Sequence, residues 1–159
     1  MSRYGLISLS TIGIAILVTV ALLAVHQVEA EAHCQVPCGV YDDAARIKHM
    51  KEDATTIAKA IANINDLAGK QDAHAFNQAT RWVVTKEAHA SDIISTVSEY
   101  FLTQKVKPVA PGSDGYEVYL KKLADHHAVM VAAMKTKQSA DPATVATLNK
   151  AIDKLATHY

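Results

Sequence analysis

The strongest constraint on the fold is a run of apolar residues between Asp42 and Ala68. Ile47, Met50, Ala54, Ile57, Ile61, Ile64 and Leu67 follow one another at intervals of three or four, which places them on one stripe of an α-helix. A strand would need strict alternation, and the segment has none. Three further stretches read the same way. The second, from about 72 to 104, carries Phe76, Ala79, Val83, Ala90, Ile93, Val97 and Phe101, with an interruption where Lys86 falls. The third, from about 114 to 137, runs through Tyr116, Leu120, Leu123, Met130 and Met134, and the fourth, from Asp141, through Val145, Leu148, Ile152 and Leu155. Connections are short. "AGKQD" (68–72) offers a glycine stop and an aspartate cap, "KPVAPGSDG" is the one Pro/Gly-dense stretch, and "SADPAT" supplies a cap with Pro142 in the first turn. Short connections force neighbours to run in opposite directions, so the spacing predicts an all-α, antiparallel four-helix bundle.

Half of the 159 residues are apolar, enough for one core, and Gly and Pro number only 6 and 4. Formal net charge is zero, which gives no electrostatic reason to expect a nucleic acid or another polyanion as partner.

The first 32 residues stand outside that pattern. Arg3 is a small basic region, residues 4–25 carry no charge, and Ala30-Glu31-Ala32 sets small side chains at the minus-three and minus-one positions of a leader-peptidase site. Cleavage there makes His33 the first residue of an exported, periplasmic or extracellular protein spanning 33–159. The uncharged run is also long enough for a membrane anchor if it is retained.

Directly after the cut stands "HCQVPCGVY" (33–41), which holds both cysteines of the chain. Once the leader is gone, a free α-amine, the His33 imidazole, the Cys34 amide nitrogen and two thiols lie within six residues. Pro37 fixes φ, biases Val36 towards an extended geometry, and Gly39 removes hindrance after the second thiol. Two nitrogens and two sulfurs suit either a tetrahedral zinc-type site or a square-planar Ni(II) or Cu(II) site. The chelate ring shared by the amine and the next amide favours the planar option. An axial imidazole is useful only to a metal that changes oxidation state, which zinc does not. A local Cys34–Cys38 disulfide in a structural bundle is the plainer reading, and a bundle that binds Ni or Cu without turnover is another. The CxxC and CxxCH patterns of thioredoxin-like and c-type haem sites are absent.

The segment resembles the start of mature nickel-containing superoxide dismutase, H-C-x-x-P-C-G-x-Y, at every fixed position. The likeness continues through "RWVVTKEAHA", "EYFLTQKVKP" and "HHAVMVAAMKTKQ", in the manner of the marine bacterial and cyanobacterial form. It implies a bundle preceded by an N-terminal metal-binding hook. One nickel ion per subunit would be held by the amine and imidazole of His33, the amidate and thiolate of Cys34, and the thiolate of Cys38. It further implies superoxide as substrate, cycling between Ni(II) and Ni(III), a leader-processing peptidase as partner, assembly as a homohexamer, and Tyr41 and Tyr100 beside the approach to the metal. One departure stands out. Where better-known members hold the axial imidazole with a glutamate in helix one and an arginine in helix two, this chain has Lys48 or His49, and His89. His49, His74, His89 and His158 show no cluster spacing; His126 and His127 read as surface or packing residues, and Asp42 and Asp43 as acids favoured by the helix-one dipole.

Overall fold

The computed structural model describes residues 41–159; the expected leader (1–32) and the expected hook up to residue 40 lie outside the described residues. Helix α1 spans Asp43–Leu67. Asp42 is its N-cap, accepting the Ala45 N–H at 2.8 Å, so Asp42 stands just ahead of the helix and Asp43 alone occupies its first turn. Gly69, at φ +85°, turns the chain out of α1. Asp72 caps α2 (Ala73–Ser95) by accepting from Ala75 N–H at 2.8 Å, and that bond lowers its carboxyl pKa. Helix α3 (Tyr116–Gln138) follows Gly115, which sits at φ +87°. Helix α4 (Pro142–Ala156) begins with proline behind an Asp141 cap. Each helix packs against its sequence neighbours, and α4 returns to α1, giving the expected four-helix bundle. No helix among the described residues is long and apolar enough to cross a membrane.

The core is one cluster in which Met50, Ile57, Ile93, Phe101, Leu148, Ile152 and Leu155 are fully buried. On α1 and α4 it follows the stripes read from the sequence. On α2 and α3 the expected stripe holds in part: Ala90, Ile93, Val97 and Phe101 are buried as expected and Met130 packs against the core, whereas other expected positions give way to their neighbours. Phe76 and Val83 point outward, and the inward face of α2 is Ala75, Ala79, Trp82, Lys86, Ala90 and Ile93, an unbroken helical series that Val97 continues beyond the end of the helix. Leu120 and Met134 are likewise exposed, and the face of α3 runs through Lys122, His126, Val129, Ala133 and Thr136. Lys86 does not interrupt the stripe. It is a buried member of it, and its ammonium donates to the carbonyls of Thr136 and Lys137 at the C-terminal end of α3 while pairing with Glu87 at 3.1 Å. A cation at that end satisfies carbonyls that have no partner within their own helix.

The second difference is local winding. The reading of one α-helix to residue 104 gives way to α2 ending at Ser95 and a π-helical run over Thr96–Lys105. Its wider turn shows in the five-residue steps of its bonds: Val106 N–H to Phe101 O at 2.9 Å, Thr103 Oγ1 to Ser98 O at 2.6 Å, and Gln104 Nε2 to Glu99 O at 3.1 Å. Such winding is rare in long runs and concentrates at functional sites. Here consecutive aromatic residues, Tyr100 and Phe101, are both buried on one side.

Candidate functional site

Tyr41 is the last residue of the hook motif and the first described. Its ring meets that of Tyr100, 57 positions beyond Asp43 along the chain, edge-on with centroids 5.9 Å apart. Between them lies Asp43. Its Oδ1 accepts the Tyr100 hydroxyl at 2.6 Å and its Oδ2 pairs with Lys105 Nζ at 3.0 Å. Lys105 also lies over the Tyr41 ring, 4.6 Å from its centroid, and the Arg46 guanidinium lies 5.1 Å from the Tyr100 centroid. The first turn of α1 and the π-helical run are thus tied by two tyrosines, one carboxylate and two cations. Beside them is a cleft of about 340 Å³ lined by Arg46, Asp92, Thr96, Glu99, Tyr100 and Gln104.

Burial, followed by the bond to the Asp43 carboxylate, pushes the Tyr100 phenol up from 10 to about 12. Tyr159 is also raised to about 12, chiefly by burial. Both phenols therefore stay protonated throughout the neutral range. A group raised on folding adds stability that is whole below its unfolded value and is lost as pH climbs through the folded one. Ultraviolet titration is expected to show two tyrosines ionising only near pH 12, together with declining stability between pH 10 and 12. Tyr100→Phe should remove one of the two late steps. A titration in which every tyrosine ionises near 10 would contradict the buried geometry.

Of the expected site residues, Tyr41 and Tyr100 are brought together, whereas His33, Cys34 and Cys38 lie outside the described residues. His126 is fully buried in the bundle, while His127, His49 and His74 are exposed. His89 does have company: its Nδ1 lies 2.7 Å from Asp53 Oδ1, with Asp92 close by. Lys48 is exposed and faces Glu52 at 3.7 Å. Sequence reasoning missed Arg46 and Lys105, and it gave Asp43 only a dipole role. No local pattern marks these residues, because their shared target, the tyrosine pair, forms only when α1 meets the π-helical run.

Among the described residues, then, the site belongs to the class of four-helix bundles, with two tyrosines, a carboxylate and two cations gathered where the start of α1 meets the π-helical run. The sequence profile of nickel-containing superoxide dismutase matches residues 28–159. The chain belongs to that family, whose enzymes are oxidoreductases that disproportionate superoxide. No curated protein and no solved structure matches it.

Proposed function

We propose that the chain is exported, that its leader is removed after Ala32, and that the new N-terminus holds one nickel per subunit. The ligands are the amine and imidazole of His33, the amidate and thiolate of Cys34, and the thiolate of Cys38. The donor set fits the metal: two adjacent nitrogens in one chelate ring favour a planar arrangement, and thiolate and amidate donors stabilise the higher charge that aqueous nickel does not readily reach. Held by these residues, nickel would supply one-electron exchange between Ni(II) and Ni(III), the chemistry that disproportionation of superoxide to dioxygen and peroxide requires.

The chain's own residues do the rest. Cys38 is three residues from Tyr41, so covalent geometry keeps it within about 11 Å of that residue. Tyr41 and Tyr100 accordingly line the approach to the metal, with Arg46 and Lys105 offering positive charge to an anionic substrate. Tyr100 keeps its proton and directs it in a hydrogen bond to Asp43, so it orders the entrance and does not act as an acid at neutral pH. Exposed Phe76, Val84 and Val118 offer apolar surface for homohexamer assembly.

The observation that carries this reading is that the family match takes in the whole segment from His33 to Tyr41. It is tested by the mass of the purified protein under non-denaturing conditions, together with a superoxide-decay assay. The expected species begins at His33, carries one nickel per subunit and removes superoxide. An active chain that begins anywhere else would overturn the ligand assignment, and a nickel-saturated but inert one would mark a metal-binding protein without turnover.

A further inference from the structure

We propose that Tyr41, Tyr100 and Tyr159, with Phe101 as a bridge, form a one-electron relay that carries oxidising equivalents from Tyr41 to Tyr159. Rings follow one another in contact. Tyr41 to Tyr100 is 5.9 Å, Tyr100 to Phe101 is 4.9 Å at 85°, and Phe101 to Tyr159 is 4.6 Å between centroids. Tyr41 and Tyr159 are partly exposed and Phe101 fully buried, so the path starts at the surface at Tyr41, crosses the core and surfaces again at Tyr159.

Ring contact alone does not make a relay, because a phenol gives up an electron readily only when its proton has somewhere to go. Tyr100 and Tyr159 each have a base in hydrogen-bond contact. Tyr100 donates to Asp43 Oδ1 at 2.6 Å. Tyr159 meets His126 Nε2 at 2.9 Å, and because His126 Nδ1 lies 2.7 Å from the Lys122 carbonyl, which can only accept, Nε2 is the lone-pair side and Tyr159 the donor. Burial lowers the His126 pKa and keeps that lone pair free. By contrast, Tyr116 and Tyr119, 6.3 Å apart, have no phenol hydrogen bond among the described residues.

The cations supply direction. A positive charge over a ring opposes removal of an electron from it. Lys105 lies 4.6 Å from the Tyr41 centroid, Arg46 5.1 Å from that of Tyr100, and Lys122 6.0 Å from that of Tyr159. The opposing charge recedes along the path, which favours movement of the oxidising equivalent outward.

The chemistry balances with a hydroxyl radical as oxidant, formed when a reduced transition-metal ion in solution gives one electron to the peroxide product and hydroxide leaves, and with a soluble thiolate as reductant. The radical takes an electron and the phenol proton from Tyr41 and leaves as water. The Tyr41 phenoxyl takes an electron from Tyr100 and a proton from solvent, while the Tyr100 proton passes to Asp43. The Tyr100 phenoxyl then takes an electron from Tyr159 across Phe101 and recovers its proton from Asp43, and the Tyr159 proton passes to His126. The thiolate finally gives one electron to Tyr159, His126 returns the proton, and a thiyl radical departs. Such a path spares the thiolates of the hook from oxidation. It rests on the nickel reading only for the origin of the peroxide.

The test needs no nickel. In the full chain carrying Cys34→Ser, Cys38 is the one remaining thiol, and it can be labelled with a thiol-reactive ruthenium photo-oxidant. Flash oxidation followed by electron paramagnetic resonance should give a long-lived phenoxyl radical on Tyr159. Tyr100→Phe should lose it, Asp43→Asn should slow its appearance, and Tyr159→Phe should leave a short-lived radical on Tyr100, each with unchanged helical circular dichroism. An undiminished radical in Tyr100→Phe, or one residing on Trp82, Tyr116 or Tyr119, would overturn the relay. Neither result bears on the nickel assignment, and a nickel protein found inert would leave the relay standing.

Discussion

Placing one extra residue ahead of His33 is expected to abolish superoxide removal while leaving the bundle folded. The added residue converts a basic primary amine into a peptide nitrogen, a far poorer donor. It also moves the free amine out of the chelate ring shared with the Cys34 amide. Disturbing groups that merely support a ligand already costs 10–100-fold in metal affinity or activity, so loss of a direct donor should exceed about a hundredfold. Cys38→Ser should do the same by replacing a soft thiolate with a neutral hydroxyl. Neither change touches the core, which is built wholly from residues of α1 to α4 and the π-helical run. Helical circular dichroism and thermal unfolding should therefore match the parent, while nickel content and superoxide decay fall to background. Full activity in the extended chain would refute the role of the amine.

The two outer helices were legible because their inward positions are large aliphatic residues. Ile57 and Ile61 on α1, and Leu148 and Ile152 on α4, announce their own burial. On α2 and α3 the apolar residues with the strongest signal, Phe76, Val83, Leu120 and Met134, are exposed, and the core face is filled by Ala75, Lys86, Ala90, His126 and Thr136. A hydropathy stripe cannot mark a lysine whose burial depends on carbonyls 50 residues away, nor a histidine satisfied by a carbonyl and the terminal phenol. The π-helical run was illegible for a related reason. "TVSEYFLTQK" has no residue that forbids α-helix, and the wider winding is set by burial of Tyr100 and Phe101 together.

For the site, the hook could be proposed from sequence because its chemistry is local, with amine, imidazole, amide and two thiols within six residues, and its ligands lie outside the described residues. Tyr41 and Tyr100 came with the family pattern. Their supports, Asp43, Arg46 and Lys105, belong to an arrangement that closes only through tertiary contact. Single charged residues on helices ordinarily face water, so sequence alone gives no reason to single them out.

The largest effect on stability is expected at Asp125. Its side chain is 3% exposed, yet it meets Lys121 at 2.7 Å, Lys154 at 2.7 Å and His158 at 2.8 Å. Burial by itself would raise its pKa, but hydrogen bonds from Lys121, Lys154 and His158 outweigh that and hold the carboxyl well below the usual carboxylate range. Asp125→Asn keeps the shape and removes the one anion, leaving the three donors to face one another. Breaking a buried pair on one side costs 3–5 kcal/mol, and because both lysines are more than half exposed the loss should sit near the lower end, about 3 kcal/mol. A fall in midpoint of about 10 °C should accompany it. A carboxyl whose pKa is depressed on folding stabilises fully above its unfolded value, about 3.9, and less as pH falls towards the folded one. The parent should therefore lose stability through that acid window more steeply than Asp125→Asn, and the two denaturation curves should converge at the acid end. Parallel pH profiles would assign the acid sensitivity to other carboxylates and reduce the Asp125 cluster to a surface feature. Convergence would mean that a single buried anion, drawing α3, α4 and the C-terminal residues together, fixes the end of the chain against the bundle, and with it the Tyr159 ring against Phe101.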